Sequence, residues 1–387
     1  MRTVLTLLLL SLAIADYKLR LHPLETGARC VDGSPAGVYV SEGDNSKVLI
    51  FFQEGGMCGG KSLSDTLANC YERAGTDWGS SLNYPPTKNL DKWGILSEQP
   101  DVNPIFANWT KAWVPYCDGS LHQGTRNHSI SYKDKFLYFR GVNNTLETLR
   151  YLNETVQFFA ADTIVVTGVS AGASATFLWS NYIYDQSLNK NVLSIPDSGV
   201  FINEFVNPFS GKKEMIENSQ AMKKLINTEI GIPIPECQKD YPDLAECFSA
   251  GHLPKYLKNP FLLLESQYDL YDIGVALGLN CTPNVHPSTM DACNDSEVAA
   301  IESYRQATLE VFNNFTSQRT DVGIWAPSCI QHGFIDEDAY SSDTYKVPSD
   351  SGPSIIDAIT NFLANPVSDG NINIDSVAWP GNGGCSG

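Results

Sequence analysis

Thr163-Ile164-Val165-Val166-Thr167-Gly168-Val169-Ser170-Ala171-Gly172 is an apolar, β-branched run that closes in Gly-x-Ser-x-Gly. A strand-forming stretch, a serine between two glycines and a helical pattern from Ala171 to Tyr184 give the order strand, elbow, helix. Glycines at these positions permit the tight turn that lifts a serine hydroxyl clear of a sheet, so the order points to a nucleophilic Ser170. The competing explanation is an ordinary Gly-rich turn between a strand and a helix.

Similar apolar runs recur outward from this segment: Lys47 to Gln53, Trp113 to Cys117, Lys135 to Phe139, Val192 to Ile195, Phe261 to Leu264 and Val322 to Ala326. Continuous runs of this kind suit central strands buried on both faces. Helical patterns lie between them, at Thr145 to Phe159, Ala171 to Tyr184, Glu297 to Phe312 and Ile355 to Leu363. The alternation predicts an α/β fold with a mostly parallel central sheet and helices on both faces. With no repeat or convincing linker, residues 16–387 read as one domain. The Pro-rich stretch 205–258 departs from the rhythm and reads as a cap beside the site or as a surface insertion.

A serine hydroxyl needs a base to become a nucleophile, and His252, His286 and His332 are the histidines downstream of Ser170. His332 follows the last apolar run, where loops at the carboxyl ends of strands gather, and is the preferred base. The acid that orients it is expected at Asp269, after the run Phe261 to Leu264, with Asp272 and Asp197 as rivals. Ser170, Asp269 and His332 stand in the serine, acid, histidine order of the α/β-hydrolases. Backbone donors for an oxyanion are expected at Ala171 and in the turn Glu54-Gly55-Gly56-Met57-Cys58, where Gly55 and Gly56 are chosen. Glu54 beside them would raise the pKa of the histidine or bind substrate hydroxyls.

The chain has 387 residues, 42% of them hydrophobic and 11% aromatic, which excludes a mostly disordered polymer. Asp and Glu number 44 against 26 Lys and Arg, a formal charge of -18, so nucleic acid is not an expected partner and a heavily anionic substrate is disfavoured. Arg2, the apolar run Val4 to Ala13 and Ala13-Ile14-Ala15 before Asp16 predict a signal peptide over residues 1–15 and release to the extracellular space. No later stretch is long and apolar enough for a stable membrane anchor. Asn108, Asn127, Asn143, Asn153, Asn280, Asn294 and Asn314 head Asn-x-Ser/Thr triplets and are candidate glycosylation sites. Ten cysteines without zinc-like spacing read as disulfides, so no metal is expected; proximity pairs Cys58 with Cys70, Cys237 with Cys247 and Cys281 with Cys293. Cys30, Cys117, Cys329 and Cys385 are left for long-range bridges.

Cys30-Val31-Asp32-Gly33-Ser34-Pro35-Ala36-Gly37, Glu54-Gly55-Gly56-Met57-Cys58, Gly94-Ile95-Leu96-Ser97 and Asn103-Pro104 form a series of short motifs. The series continues through Val114-Pro115-Tyr116-Cys117-Asp118-Gly119, Phe139-Arg140-Gly141, the serine elbow, Asp197-Ser198-Gly199 and Ser328-Cys329 with His332. This series resembles that of the pectin acetylesterase family, which includes plant cell-wall esterases and the Notum carboxylesterases. The resemblance implies an α/β-hydrolase fold and cofactor-free, metal-free ester hydrolysis by Ser170, Asp269 and His332, with Tyr268-Asp269 matching the family's aromatic-Asp pair. It also suggests the bridges Cys30–Cys117 and Cys329–Cys385.

The expected protein is therefore a secreted, monomeric serine carboxylesterase acting on an acylated polysaccharide or an acylated protein. Removal of O-acetyl groups from an extracellular polysaccharide is the leading reading, and removal of a fatty acyl ester from a secreted protein, as in Notum, is its rival. A catalytically inactive hydrolase fold serving as an extracellular binding module is the alternative outside enzymes.

Overall fold

The computed structural model describes residues 16–226, 235–241, 252–349 and 351–385. The expected leader over residues 1–15 and Cys247, the expected partner of Cys237, lie outside the described residues.

Each predicted run except one enters a single ten-stranded sheet: β1 (Tyr17–Leu21), β2 (Gly37–Ser41), β3 (Asp44–Phe52), β4 (Thr87–Lys88), β5 (Trp109–Val114), β8 (Thr163–Val169), β9 (Val192–Asp197), β10 (Phe261–Leu264), β12 (Val322–Ala326) and β14 (Ile372–Ile374). The order across it is β14-β12-β10-β9-β8-β3-β5-β2-β1-β4. From β14 to β5 every neighbour pair is parallel, whereas β2, β1 and β4 extend the edge in antiparallel fashion. β1 alternates apolar and charged residues, Tyr17-Lys18-Leu19-Arg20-Leu21, as a strand buried on one face does. Two short pairs stand apart: β6 (Ile130–Tyr132) with β7 (Lys135–Leu137), and β11 (Tyr268–Asp269) with β13 (Ile330–Gln331).

The run Lys135 to Phe139 is the exception. It forms one arm of the β6–β7 hairpin and leaves Phe136 61% exposed, so it is not the central strand expected from its apolar content. Trp113 to Cys117 is also displaced, because β5 starts at Trp109 and ends at Val114.

Side-chain alternation along the central strands divides the core in two. Val48, Ile50, Phe52, Ile164 and Val166 face helices α2 (Gly141–Val156) and α3 (Ala171–Gln186), through Leu149, Leu152 and Trp179. Leu49, Phe51, Val165, Ile195, Leu264 and Trp325 face the opposite way, onto Ile355, Ile359 and Phe362 of the helix Ile355–Ala364. The helix Asp295–Gln318 covers the first face at the β10–β12 end through Ile301, Tyr304 and Phe312. Burial on both faces is what makes these strands read as unbroken apolar runs.

Because the central strands are parallel, Phe52, Val169, Asp197, Leu264 and Ala326 all end at the same edge of the sheet. The segments that follow them gather there, as in other open parallel sheets.

Candidate active site

Ser170 closes β8 and opens α3 with φ 56° and ψ -115°, a backbone conformation that costs an L-residue roughly 1–3 kcal/mol. The flanking glycines are required by close packing. A Cβ on Gly172 would stand 1.9 Å from the Phe52 carbonyl oxygen, and one on Gly168 would stand 2.5 Å from the same atom. The elbow is thus wedged against the end of β3, which is why both positions lack a side chain.

Past the ends of β10 and β12, β11 and β13 pair in parallel with Asp269 opposite Gln331, which brings Asp269 beside the start of the next loop. The Nδ1–H of His332 donates to Asp269 Oδ2 at 2.6 Å. Asp269 Oδ1 accepts from the Asp272 amide at 3.0 Å and so caps the helix Leu270–Ala276. The two rival acids have other partners: Asp272 Oδ2 accepts from the Tyr304 hydroxyl at 2.6 Å, and Asp197 holds a loop described below. The Tyr271 ring stacks on the imidazole, with centroids 5.4 Å apart. The His332 side chain keeps 17% of its exposure, so the ring is reachable from outside while its acid is enclosed.

Burial pushes the His332 pKa down, but the charge and hydrogen bond of Asp269, with further charge from Asp272 and Asp197, outweigh it and raise the imidazole to about 9. The other histidines lie elsewhere. His252 stacks on Tyr241 at 4.0 Å between centroids, and His286 is exposed on a loop.

The turn after β3 supplies the other wall. Gly55 has φ 139° and Gly56 φ 62°, and a Cβ on Gly55 would stand 2.2 Å from the Trp78 ring. Arg73 Nη2–H donates to the Gly55 carbonyl at 2.6 Å, so this carbonyl is taken up by the guanidinium. The turn is anchored further on by the Cys58 amide donating to the Gly119 carbonyl and by the Cys58–Cys70 bridge. The Gly55 and Gly56 amides donate to no acceptor among the described residues, and Ala171 occupies the first helical position, where an amide has no partner within its helix. Glu54 is enclosed: burial raises its pKa, with the His332 charge pulling it down and Glu337 pushing it up, and its Oε2 has no hydrogen-bond partner. Asp336 is likewise raised, first by burial and then by the charge of Glu54.

Helix α4 (Glu214–Ile226), from the Pro-rich stretch, packs on α1 (Leu63–Arg73) and on the helix Leu270–Ala276. Its Met215 and Asn218 line a pocket of about 210 Å³ with Met57, Asn69, Tyr271 and Val275. The pocket thus runs from the residue after Gly56 to the ring that stacks on His332.

Cys30–Cys117, Cys58–Cys70, Cys281–Cys293 and Cys329–Cys385 are bridged. The sulfurs of Cys281 and Cys293 lie within 4.8 Å of a Glu297 oxygen, but they are bonded to each other and offer no thiolate to a metal. Asn108, Asn127, Asn153, Asn280 and Asn294 are exposed, and Asn143 and Asn314 partly so. No described helix is long and apolar enough to cross a membrane.

From the sequence Asp197 reads as a rival acid, Ser198 has no task, and Arg73, Trp78 and Tyr271 have no assigned role. The Asp197-Ser198-Gly199 motif was a visible signal. Arg73 and Trp78 gave none, since they meet Gly55 across 18 and 23 residues of chain.

A mostly parallel sheet with a serine elbow and an acid–imidazole pair at one edge places the protein among the α/β-hydrolase-like folds. The fold matches that of the Wnt deacylase Notum from Drosophila with a TM-score of 0.78 over 96% of this chain and 99% of that one, at 22% identity. The chain belongs to the pectinacetylesterase family, whose profile matches residues 14–386, and is a carboxylic ester hydrolase. Pectin acetylesterase 5 of Arabidopsis thaliana is 28% identical over 331 residues, covering 82% of this chain and 73% of its own. Human palmitoleoyl-protein carboxylesterase NOTUM is 28% identical over 263 residues, 65% of this chain and 51% of its own.

Proposed function

We propose that this protein is a secreted, monomeric serine carboxylesterase that removes O-acetyl groups from an extracellular polysaccharide, with Ser170 as nucleophile, His332 as base and Asp269 as its orienting acid. The observation that carries the reading is the 2.6 Å bond between His332 Nδ1–H and Asp269, made at the same sheet edge as the strained Ser170 elbow. Fixing Nδ1–H on the carboxylate leaves Nε2 as the nitrogen that takes the Ser170 proton. The Ser170 hydroxyl makes no hydrogen bond to another described residue, and catalytic contacts in free enzymes are often long and tighten only in the substrate complex.

In this mechanism Ser170 Oγ attacks the ester carbonyl as its proton passes to His332. The amides of Ala171, Gly55 and Gly56 receive the oxyanion. His332 returns the proton to the departing alcohol, then deprotonates water, which cleaves the acyl-enzyme and frees the acid. A pocket of about 210 Å³, lined by Met57, Met215, Asn218, Tyr271 and Val275, adjoins the ring that stacks on His332. The helix α4 within stretch 205–258 acts as a cap on that pocket. Release from the cell is supported by the signal-like leader and by the disulfides.

The test is a series of p-nitrophenyl esters from acetate to palmitate, on the parent and on Ser170→Ala. Activity greatest at acetate and abolished in Ser170→Ala is expected. A maximum at long chains would replace the polysaccharide reading with fatty-acyl removal from a protein, and full activity in Ser170→Ala would remove the nucleophile.

A further inference from the structure

Asp197, Ser198 and Gly199 sit directly between the elbow and the histidine loop. Asp197 is fully buried, so its carboxylate meets no substrate, and its bonds reach both elements that must be held in register. Asp197 Oδ2 accepts from the Phe334 amide at 2.7 Å and from the Ile335 amide at 2.8 Å. Its Oδ1 accepts from the Ser198 hydroxyl at 2.9 Å, and the Ser198 oxygen in turn accepts from the Gly333 amide at 2.8 Å. Three consecutive amides after His332 are therefore held by two side chains. On the other side, the Asp197 carbonyl accepts from the amide of Ser170 itself at 2.9 Å.

The turn is shaped for this task. Ser198 has φ 54°, which turns its hydroxyl back onto the loop, and its amide donates to the Leu264 carbonyl at 2.9 Å. A Cβ on Gly199 would stand 2.5 Å from the Ala173 Cβ, so the turn can lie against the first turn of the nucleophile helix because it lacks a side chain there.

We propose that the Asp197-Ser198-Gly199 turn is the positioning element of the catalytic site, tying the Ser170 backbone to the loop that carries His332 so that base and nucleophile keep a reactive separation. The inference rests on the Ser170–His332 mechanism above. Asp197 and Ser198 are positioning residues that act through the backbone of Gly333, Phe334 and Ile335. A shift of about 1 Å in such a pair costs on the order of 100-fold in rate.

The experiment uses the full-length enzyme and p-nitrophenyl acetate, with Ser170 labelling by a fluorophosphonate as a second readout. Ser198→Gly deletes the hydroxyl while tolerating the left-handed backbone. Asp197→Asn keeps one carboxamide oxygen for the Phe334 and Ile335 amides, whereas Asp197→Ala keeps none. We expect kcat and the labelling rate to fall together by about 10- to 100-fold in Ser198→Gly, with KM within about twofold. Asp197→Asn should fall less than Asp197→Ala. Each assay is run well below the Tm of its variant, so a folding defect cannot stand in for misplacement. A kcat within twofold of the parent in both Ser198→Gly and Asp197→Asn, with Ser170→Ala and His332→Ala inactive, overturns the inference and leaves the mechanism standing. Full activity in Ser170→Ala and His332→Ala overturns the mechanism, and the inference with it.

Discussion

One carboxylate, that of Asp269, joins His332 to the start of a helix: Oδ2 accepts from the imidazole at 2.6 Å while Oδ1 accepts from the Asp272 amide at 3.0 Å. The Asp269 carboxylate is therefore held by the start of the helix as well as by His332, and the rotamer that caps the helix is also the one that bonds the ring.

Asparagine retains the cap but not the charge. Asp269→Asn is expected to leave the Tm within a few degrees, since Asn and Asp cap helices about equally. It should lower kcat by about 10,000-fold, because the imidazole is held in the wrong tautomer. Asp272→Asn should cost far less in rate, as its carboxylate bonds Tyr304 rather than His332. Thermal melts and steady-state kinetics of both variants check this.

With His332 raised from 6.5 to about 9, activity and stability respond to pH in opposite directions. In the proposed mechanism His332 accepts the serine proton only when neutral, so kcat/KM should climb through pH 9. The stabilisation from the protonated imidazole is complete below pH 6.5 and is lost as pH rises through 9. Asp269, Asp272, Asp197 and Glu54 are the carboxyl groups acting on the ring. Asp269→Asn should move the residual acid limb to lower pH, which a kcat/KM profile from pH 5 to 10 reads directly.

Gly172→Ala would force a methyl group to within 1.9 Å of the Phe52 carbonyl oxygen at a junction with backbone on both sides. The elbow cannot yield without moving β3, so a loss of about 3 kcal/mol or more is expected by chemical denaturation, at the upper end of overpacking costs.

The Cys58–Cys70 bridge closes a loop of sequence separation 12 next to Gly55 and Gly56. Replacing both cysteines by serine should cost about 3 kcal/mol of stability through the freed unfolded chain. If the Gly55 and Gly56 amides receive the oxyanion as proposed, it should also lower kcat more than KM, because loosening them costs alignment. Denaturant titration and kinetics on p-nitrophenyl acetate separate the two effects.

Local sequence carried much of this account. The Thr163 to Gly172 segment determined a strand, a turn that excludes side chains and a helix, because β-branched runs, paired glycines and 3.6-residue periodicity act over a few neighbouring residues. Buried parallel strands also announced themselves by their unbroken apolar character, whereas Lys135 to Leu137 showed that the same composition can form an outlying hairpin. Contacts that span the chain had no such signature. Only the tertiary structure decided that Arg73 and Trp78 meet Gly55, that Asp272 turns to Tyr304, and that Asp197 grips Gly333–Ile335 jointly with Ser198. The reason is physical: a buried polar atom must find a partner wherever packing brings one within about 3 Å, and one-dimensional order does not encode which distant backbone amide that will be.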